Sequence, residues 1–213
     1  QLNVRQALGG MFSLQQNKNA PDKWVSTNVG QYGSTSYYGG APLTEELAEY
    51  IQKNVKGIAG CSAGYTSYTV PAGKNGSILK LIESDDGGSG MGSLLAGYGD
   101  FNSTVSTYAS TNTAYDSYFS GGYLELVEGR HFTTEDRNPA LLSKTLAEEN
   151  GLKLGDEITL RMSSFKASMM GYDADKTCVS VTIVGLFQAT AKSTASLSNW
   201  SMDNSVFTTL DVV

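Results

Sequence analysis

Residues Tyr123–Leu160 read YLELVEGRHFTTEDRNPALLSKTLAEENGLKLGDEITL, and the order of elements in this stretch decides the fold. Apolar alternation from Tyr123 predicts a strand that ends in a Gly129-Arg130 turn, with Phe132 as an apolar anchor beyond it. Pro139-Ala140-Leu141-Leu142 predicts a short strand, and Ser143 caps a helix that runs through Leu146, Ala147 and Glu149 until Gly151 ends it. Leu152-Lys153-Leu154-Gly155-Asp156 is a tight link into Glu157–Met162. There, Ile158 and Leu160 alternate with polar neighbours, as a half-buried strand requires. Glycine at the two turns relieves the steric cost of reversing the chain.

Downstream, Val179–Phe187 predicts a strand with Val179, Val181, Ile183 and Gly185 on one side, and Ser205-Val206-Phe207 predicts a last one. Upstream, Thr44 is a candidate N-cap for a helix with Leu47, Ile51 and Val55 on one face, Glu45 and Glu46 in its first turn, and Gly57 as its stop. Ile58–Val70 reads as a strand leaving that helix. Lys74-Asn75-Gly76 reads as a turn, Ser77–Ile82 as a further strand, and Ser103–Ala109 as another. Asp85–Gly99, with Gly87-Gly88-Ser89-Gly90 inside it, predicts a loop, and residues 1–16 carry apolar side chains at helical spacing. A change of character at Tyr123 marks a domain border. The expected organisation is a helical extension over 1–16 and an αβ-rich lobe over 17–122 with a long polar insertion at about 70–122. A mainly β lobe then follows over 123–213.

A chain of 213 residues with 40% hydrophobic and 17% charged residues can bury a sizeable core, and its polarity comes from Gly, Ser, Thr, Asn and Tyr more than from ions. The net charge of −6 repels phosphate backbones, so nucleic acid is not expected as a partner. The acidity is concentrated: no basic residue falls between Lys80 and Arg130. No run reaches the roughly 20 apolar residues that cross a bilayer. The chain opens on Gln1 without a start methionine, and we read it as part of a longer protein whose membrane anchors lie elsewhere. Cys61 and Cys178 lack zinc or redox spacing and are expected to be buried free thiols, with a disulfide as the lesser alternative.

No residue is assigned a catalytic, cofactor-binding or metal-ligating role. The single histidine, His131, cannot build a multi-histidine metal site and has no nucleophile motif to serve, so a solvated structural role is expected. The Gly-rich segments lack the spacing of a nucleotide-binding loop. Asp85, Asp86 and Asp100 offer oxygen ligands for calcium, yet not in EF-hand order, and a solvated acidic loop is expected. The pairs Glu45/Glu46, Glu135/Asp136 and Glu148/Glu149 are sequence neighbours that rarely converge on one substrate.

The ordered elements of Tyr123–Leu160 resemble the core signature of the MacB-like periplasmic domain of FtsX-like permeases. Gly129, Arg130 and Phe132 match its first turn, Leu146 and Ala147 its helix, and Gly151, Leu152, Gly155 and Asp156 its second turn. Val181–Phe187, with Gly185 and Phe187, resembles the family's I-V-G-I-F strand, and Asn204–Phe207 resembles the element after it. The helix ending at Asn54 and the Gly57–Gly60 run resemble the opening of that domain more loosely. The resemblance covers about half of the chain.

It implies an α+β fold of two lobes, an αβ-rich lobe with a mainly β lobe inserted in it, the closing αβ half following Val213. It also implies a non-catalytic extracytoplasmic domain at the cell membrane, preceded by one membrane helix and followed by three. Its expected partners are an ABC ATPase subunit, a permease dimer mate, and an accessory extracytoplasmic protein or a peptide or lipoprotein substrate. A free-standing cell-surface solute-binding or adhesin module is the alternative, prompted by the Tyr/Gly/Ser/Asn-rich middle of the chain.

Overall fold

The computed structural model describes residues 24–28, 34–39, 44–82, 99–191 and 202–213. The helical reading of residues 1–16 and most of the loop expected at Asp85–Gly99 lie outside the described residues. The chain divides into two units, residues 1–59 and 60–213.

In the first unit, strands β1 (Trp24–Asn28) and β2 (Ser34–Tyr38) form an antiparallel pair. Helix α1 (Glu45–Asn54) starts where expected: Thr44 Oγ1 accepts the Leu47 N–H at 3.4 Å, and Gly57, at φ +85°, follows its end.

The second unit is built on β3 (Gly64–Gly73), β4 (Val105–Ser110), β5 (Leu124–Gly129), β6 (Pro139–Ser143), β7 (Glu157–Arg161), β8 (Val179–Ala189) and β9 (Ser205–Thr208). Their order is β5-β8-β6-β9-β4-β3-β7, and β7 also pairs with β8. Because β7 meets both β3 and β8, six strands close into a ring, and β5 lies against the half of β8 that β7 leaves free. Closure removes the exposed edges that an open sheet would leave. Short helices α2 (Ser117–Ser120), α3 (Lys144–Glu149) and α4 (Ser164–Met170) join the strands.

Two apolar clusters occupy opposite faces of the sheet, as the two-residue period of the strands demands. Val105, Leu142, Ile158, Leu160, Val181, Ile183 and Val206 belong to one, and Leu146 and Ala147 of α3 pack into it. Leu124, Phe132, Leu141, Phe187 and Phe207 belong to the other. Every residue of β6 and β9 is therefore buried.

The chain is α+β, as expected, but the border anticipated at 122/123 does not part the sheet. Strands β3 and β4, from the expected first lobe, pair with β7 and β9 of the expected second. The polar insertion expected at about 70–122 is accordingly not all at the surface, since Val70, Val105, Thr107 and Ala109 are buried. The change in composition at Tyr123 reflects hydroxyl-bearing side chains such as Thr69 and Thr107, which bond each other at 2.7 Å inside the sheet.

One further expectation changes, and one element goes unannounced. Ser77–Ile82 is not a strand; its described pairing is an isolated bridge from Ala72 to Ile78. Side-chain amides replace a partner strand: Asn150 brackets the Lys80 backbone at 2.8 and 2.9 Å, and Asn204 brackets Ile82 at 2.9 and 2.8 Å. Helix α4, which apolar spacing does not announce, is set by its ends. Ser163 Oγ accepts the Lys166 N–H, and Gly171 takes the left-handed conformation at φ +75°.

Candidate functional site

The matched residues gather at the two turns that flank β8. Gly129 lies opposite Gly185 across β5 and β8, just beyond a bulge at Leu126/Glu128. A Cβ on Gly129, at φ +77°, would meet the Val184 carbonyl oxygen at 2.2 Å. One on Gly185 would meet the Arg130 carbonyl oxygen and Leu141 Cδ2, both at 2.7 Å. Facing glycines let the two backbones approach, and the Arg130 N–H donates to the Val184 carbonyl at 3.0 Å.

The turn then closes on itself. Arg130 donates both guanidinium nitrogens to Asp136, at 3.0 and 2.5 Å, and Asp136 also accepts the Thr133 N–H at 3.1 Å. The bond from Arg130, helped by that from Thr133, holds the Asp136 carboxyl below the usual carboxylate range against the opposing effect of burial. Arg130 is largely exposed, so the pair orders the loop more than it stabilises the fold. Phe132 is fully buried among the aromatic residues, and its N–H donates to Thr113 Oγ1 at 3.1 Å.

His131 departs from the solvated role expected for it. It is half-buried, with Nδ1 3.1 Å from Thr113 Oγ1 and the Phe119 ring perpendicular to it at 5.0 Å. Burial pulls its pKa below the ordinary histidine value.

At the second turn, Leu146 and Ala147 are fully buried, and the Ala147 carbonyl accepts the N–H groups of Asn150 and Leu152 at 3.2 and 2.8 Å. Gly151, at φ +63°, makes that reversal, and Leu152 packs against the larger cluster. Gly155, at φ +86°, donates to the Ile183 carbonyl at 2.8 Å, and the Asp156 carbonyl accepts the Ile183 N–H at 2.9 Å. The Asp156 carboxylate accepts the Lys153 N–H at 3.0 Å. Phe187 stacks edge-on against Phe207 at 5.4 Å. All eleven matched residues thus make turns, backbone contacts or core packing.

One constellation escapes sequence reading. Asp100, placed by the spacing in a solvated acidic loop, is instead buried and paired with Arg161 at 2.5 Å. It accepts the Ser164 N–H at 2.8 Å and the Ser164 hydroxyl at 3.1 Å, while Phe101 meets Phe165 edge-on beside it. Burial alone would raise the Asp100 carboxyl, but the bonds from Ser164 and Arg161 and the nearby positive charge outweigh it and hold its pKa below the usual range. Nothing in the local text reveals the pairing, since the partners lie 61 positions apart, 161 less 100.

The sequence-adjacent carboxylates do not converge. Asp136 binds Arg130, Glu149 binds Lys80, and Glu148 lies 3.9 Å from Lys144. Both cysteines are free, and neither is buried: Cys61 is half-exposed and Cys178 exposed, each just outside a strand. Among the described residues, no group of three or more His, Cys, Asp and Glu is placed to hold a metal ion, and no helix is long and apolar enough to cross a membrane.

This geometry specifies architecture. The chain is 33% identical over 95 residues to an uncharacterized ABC transporter permease, YclI, of Bacillus subtilis (strain 168). The match covers 44% of this chain and 18% of that relative's length. Among solved structures, the periplasmic region of MacB from Actinobacillus actinomycetemcomitans matches 83% of this chain and 59% of its own, with 11% identity and a TM-score of 0.47. The sequence profile described as the MacB-like periplasmic core domain matches residues 5–213, and the chain belongs to that family.

Proposed function

We propose that this chain is the extracytoplasmic domain of an ABC-transporter permease and relays ATPase-driven movement of membrane helices to an exported substrate or a partner protein. The family match over residues 5–213, with a permease among the relatives, carries this reading. The role of the matched residues supports it: they build turns and core, as a module that transmits force without performing a reaction requires. On this reading the ATPase is a separate subunit and the permease works as a dimer. The domain is divided into two lobes and faces an accessory protein or a peptide or lipoprotein substrate outside the membrane.

The test is to replace residues 60–213 by a short flexible linker in the full-length permease, co-expressed with its ATPase. ATP hydrolysis and the export phenotype are then read separately. Retained hydrolysis with lost export is expected. Undiminished export would refute the relay.

A further inference from the structure

We propose that His131 is a pH-sensitive clasp: its neutral ring holds the segment Thr113–Ser120 down on the aromatic cluster, and protonation releases that segment. The segment consists of a 3-10 turn, Thr113–Tyr115, and α2. It covers the cluster through Phe119, whose ring lies 5.1 Å from Phe207 and 5.9 Å from Phe187, and through Tyr118, 6.1 Å from Phe207. The Gly129–Phe132 turn fastens it. The Thr113 N–H donates to the Phe132 carbonyl at 3.3 Å, and the Phe132 N–H donates to Thr113 Oγ1 at 3.1 Å.

The hydroxyl of Thr113 is the joint. It accepts from Phe132, and its own proton finds an acceptor in His131 Nδ1, at 3.1 Å, when the ring carries its proton on the far nitrogen. That arrangement requires an unprotonated Nδ1, with the ring's proton on Nε2. Protonation turns Nδ1 into a donor, so the bond between ring and hydroxyl reverses, the oxygen now accepting from both Nδ1 and Phe132. The hydroxyl proton of the fully buried Thr113 then loses its acceptor. The new charge would also lie half-buried, next in sequence to the Arg130 cation.

The titratable and charged groups around this joint give the ring no compensating anion. Asp136 is engaged by Arg130 and the Thr133 N–H, and Asp116 by the Tyr118 N–H. Tyr118 packs on Tyr108. With the folded pKa depressed from 6.5, the sign is settled: the clasp is intact above the ordinary histidine range and weakens as pH falls through the folded value. Asp116, whose carboxyl burial raises, acts in the opposite sense, so the histidine contribution is isolated by substitution.

His131 is the only histidine, and its Cε1–H resonance can be followed by proton NMR in this chain without assignment. Amide-exchange protection factors at residues 113–121 are measured alongside, from about pH 7.5 to about pH 5. His131 should titrate below its ordinary range. Protection at 113–121 should fall by at least about threefold as it does so, while the amides of Leu141, Leu142 and Val206 hold. His131→Asn, which keeps an acceptor and cannot titrate, should flatten the response. Thr113→Ser should respond as the parent does, and Thr113→Val should remove the pH response and lower protection throughout. If His131→Asn fails to fold, the threonine pair decides. A histidine titrating at or above its ordinary range would overturn the clasp. So would an identical pH response in His131→Asn, or in Thr113→Val.

Discussion

Replacing Asp100 with alanine removes a carboxylate that serves two residues and three donor groups at once. Its side chain is 7% exposed, and that of Arg161 is 15% exposed. The substitution leaves the Ser164 N–H without its acceptor and deprives the guanidinium of its counter-ion. Breaking a buried ion pair from one side costs about 3–5 kcal/mol, because the surviving charge stays desolvated. Here Arg161 keeps a bond to the Met162 carbonyl at 2.9 Å, which places the cost at the lower end, about 3 kcal/mol. Asp100→Asn keeps an acceptor for Ser164 and fills the same volume, so about 1.5 kcal/mol is expected. Urea unfolding followed by far-ultraviolet circular dichroism reads both. With a slope of roughly 2 kcal/mol per molar, the alanine variant should unfold about 1.5 M earlier without a change of slope. A double-mutant cycle with Arg161→Met should return a coupling of about 1–3 kcal/mol. If Asp100→Ala loses less than about 1 kcal/mol, or the two changes add to within about 0.5 kcal/mol, the carboxylate is not the joint described here.

The same carboxylates set the acid limb of stability. Asp100 and Asp136 both have folded pKa values below the ordinary 3.8, so their contribution is complete above that value and is lost as pH falls through the folded ones. Asp100→Asn should flatten that limb in an acid titration monitored by circular dichroism. Gly185→Ala should cost about 2–3 kcal/mol in urea unfolding, because its Cβ meets the Arg130 carbonyl oxygen and Leu141 at 2.7 Å. Gly129→Ala should cost more, since the backbone at φ +77° adds strain to a 2.2 Å contact. Phe132→Ala, at a fully buried aromatic position, should cost about 3–5 kcal/mol by the same assay.

Much of the fold is legible where a residue's local conformation and its burial pattern agree. Leu146 and Ala147 on α3, the reversals at Gly151 and Gly155, and the alternation Val181-Thr182-Ile183 in β8 each carry a period or a turn signal, and each forms as read. Where side chains substitute for a backbone partner, the text misleads. Ser77–Ile82 has strand composition, but Asn150 and Asn204 occupy its hydrogen bonds from distant positions. Helix α4 was open to reading through Ser163 and Gly171, yet its apolar residues lack a clear helical stripe. His131 and the cysteines show that exposure is set by neighbours that composition does not reveal.

By itself the sequence determined the elements of Tyr123–Leu160 and Val179–Phe187, their order, the α+β class and the family resemblance, because turn chemistry and strand alternation act over a few residues. Only the tertiary structure decided that β3 and β4 join the same closed sheet, that Asp100 is held by Arg161, and that Thr113 stands between His131 and Phe132. Those contacts span 18 to 99 positions in the chain, and the polar ones form because buried charges and hydroxyls must find partners once the sheet has closed around them.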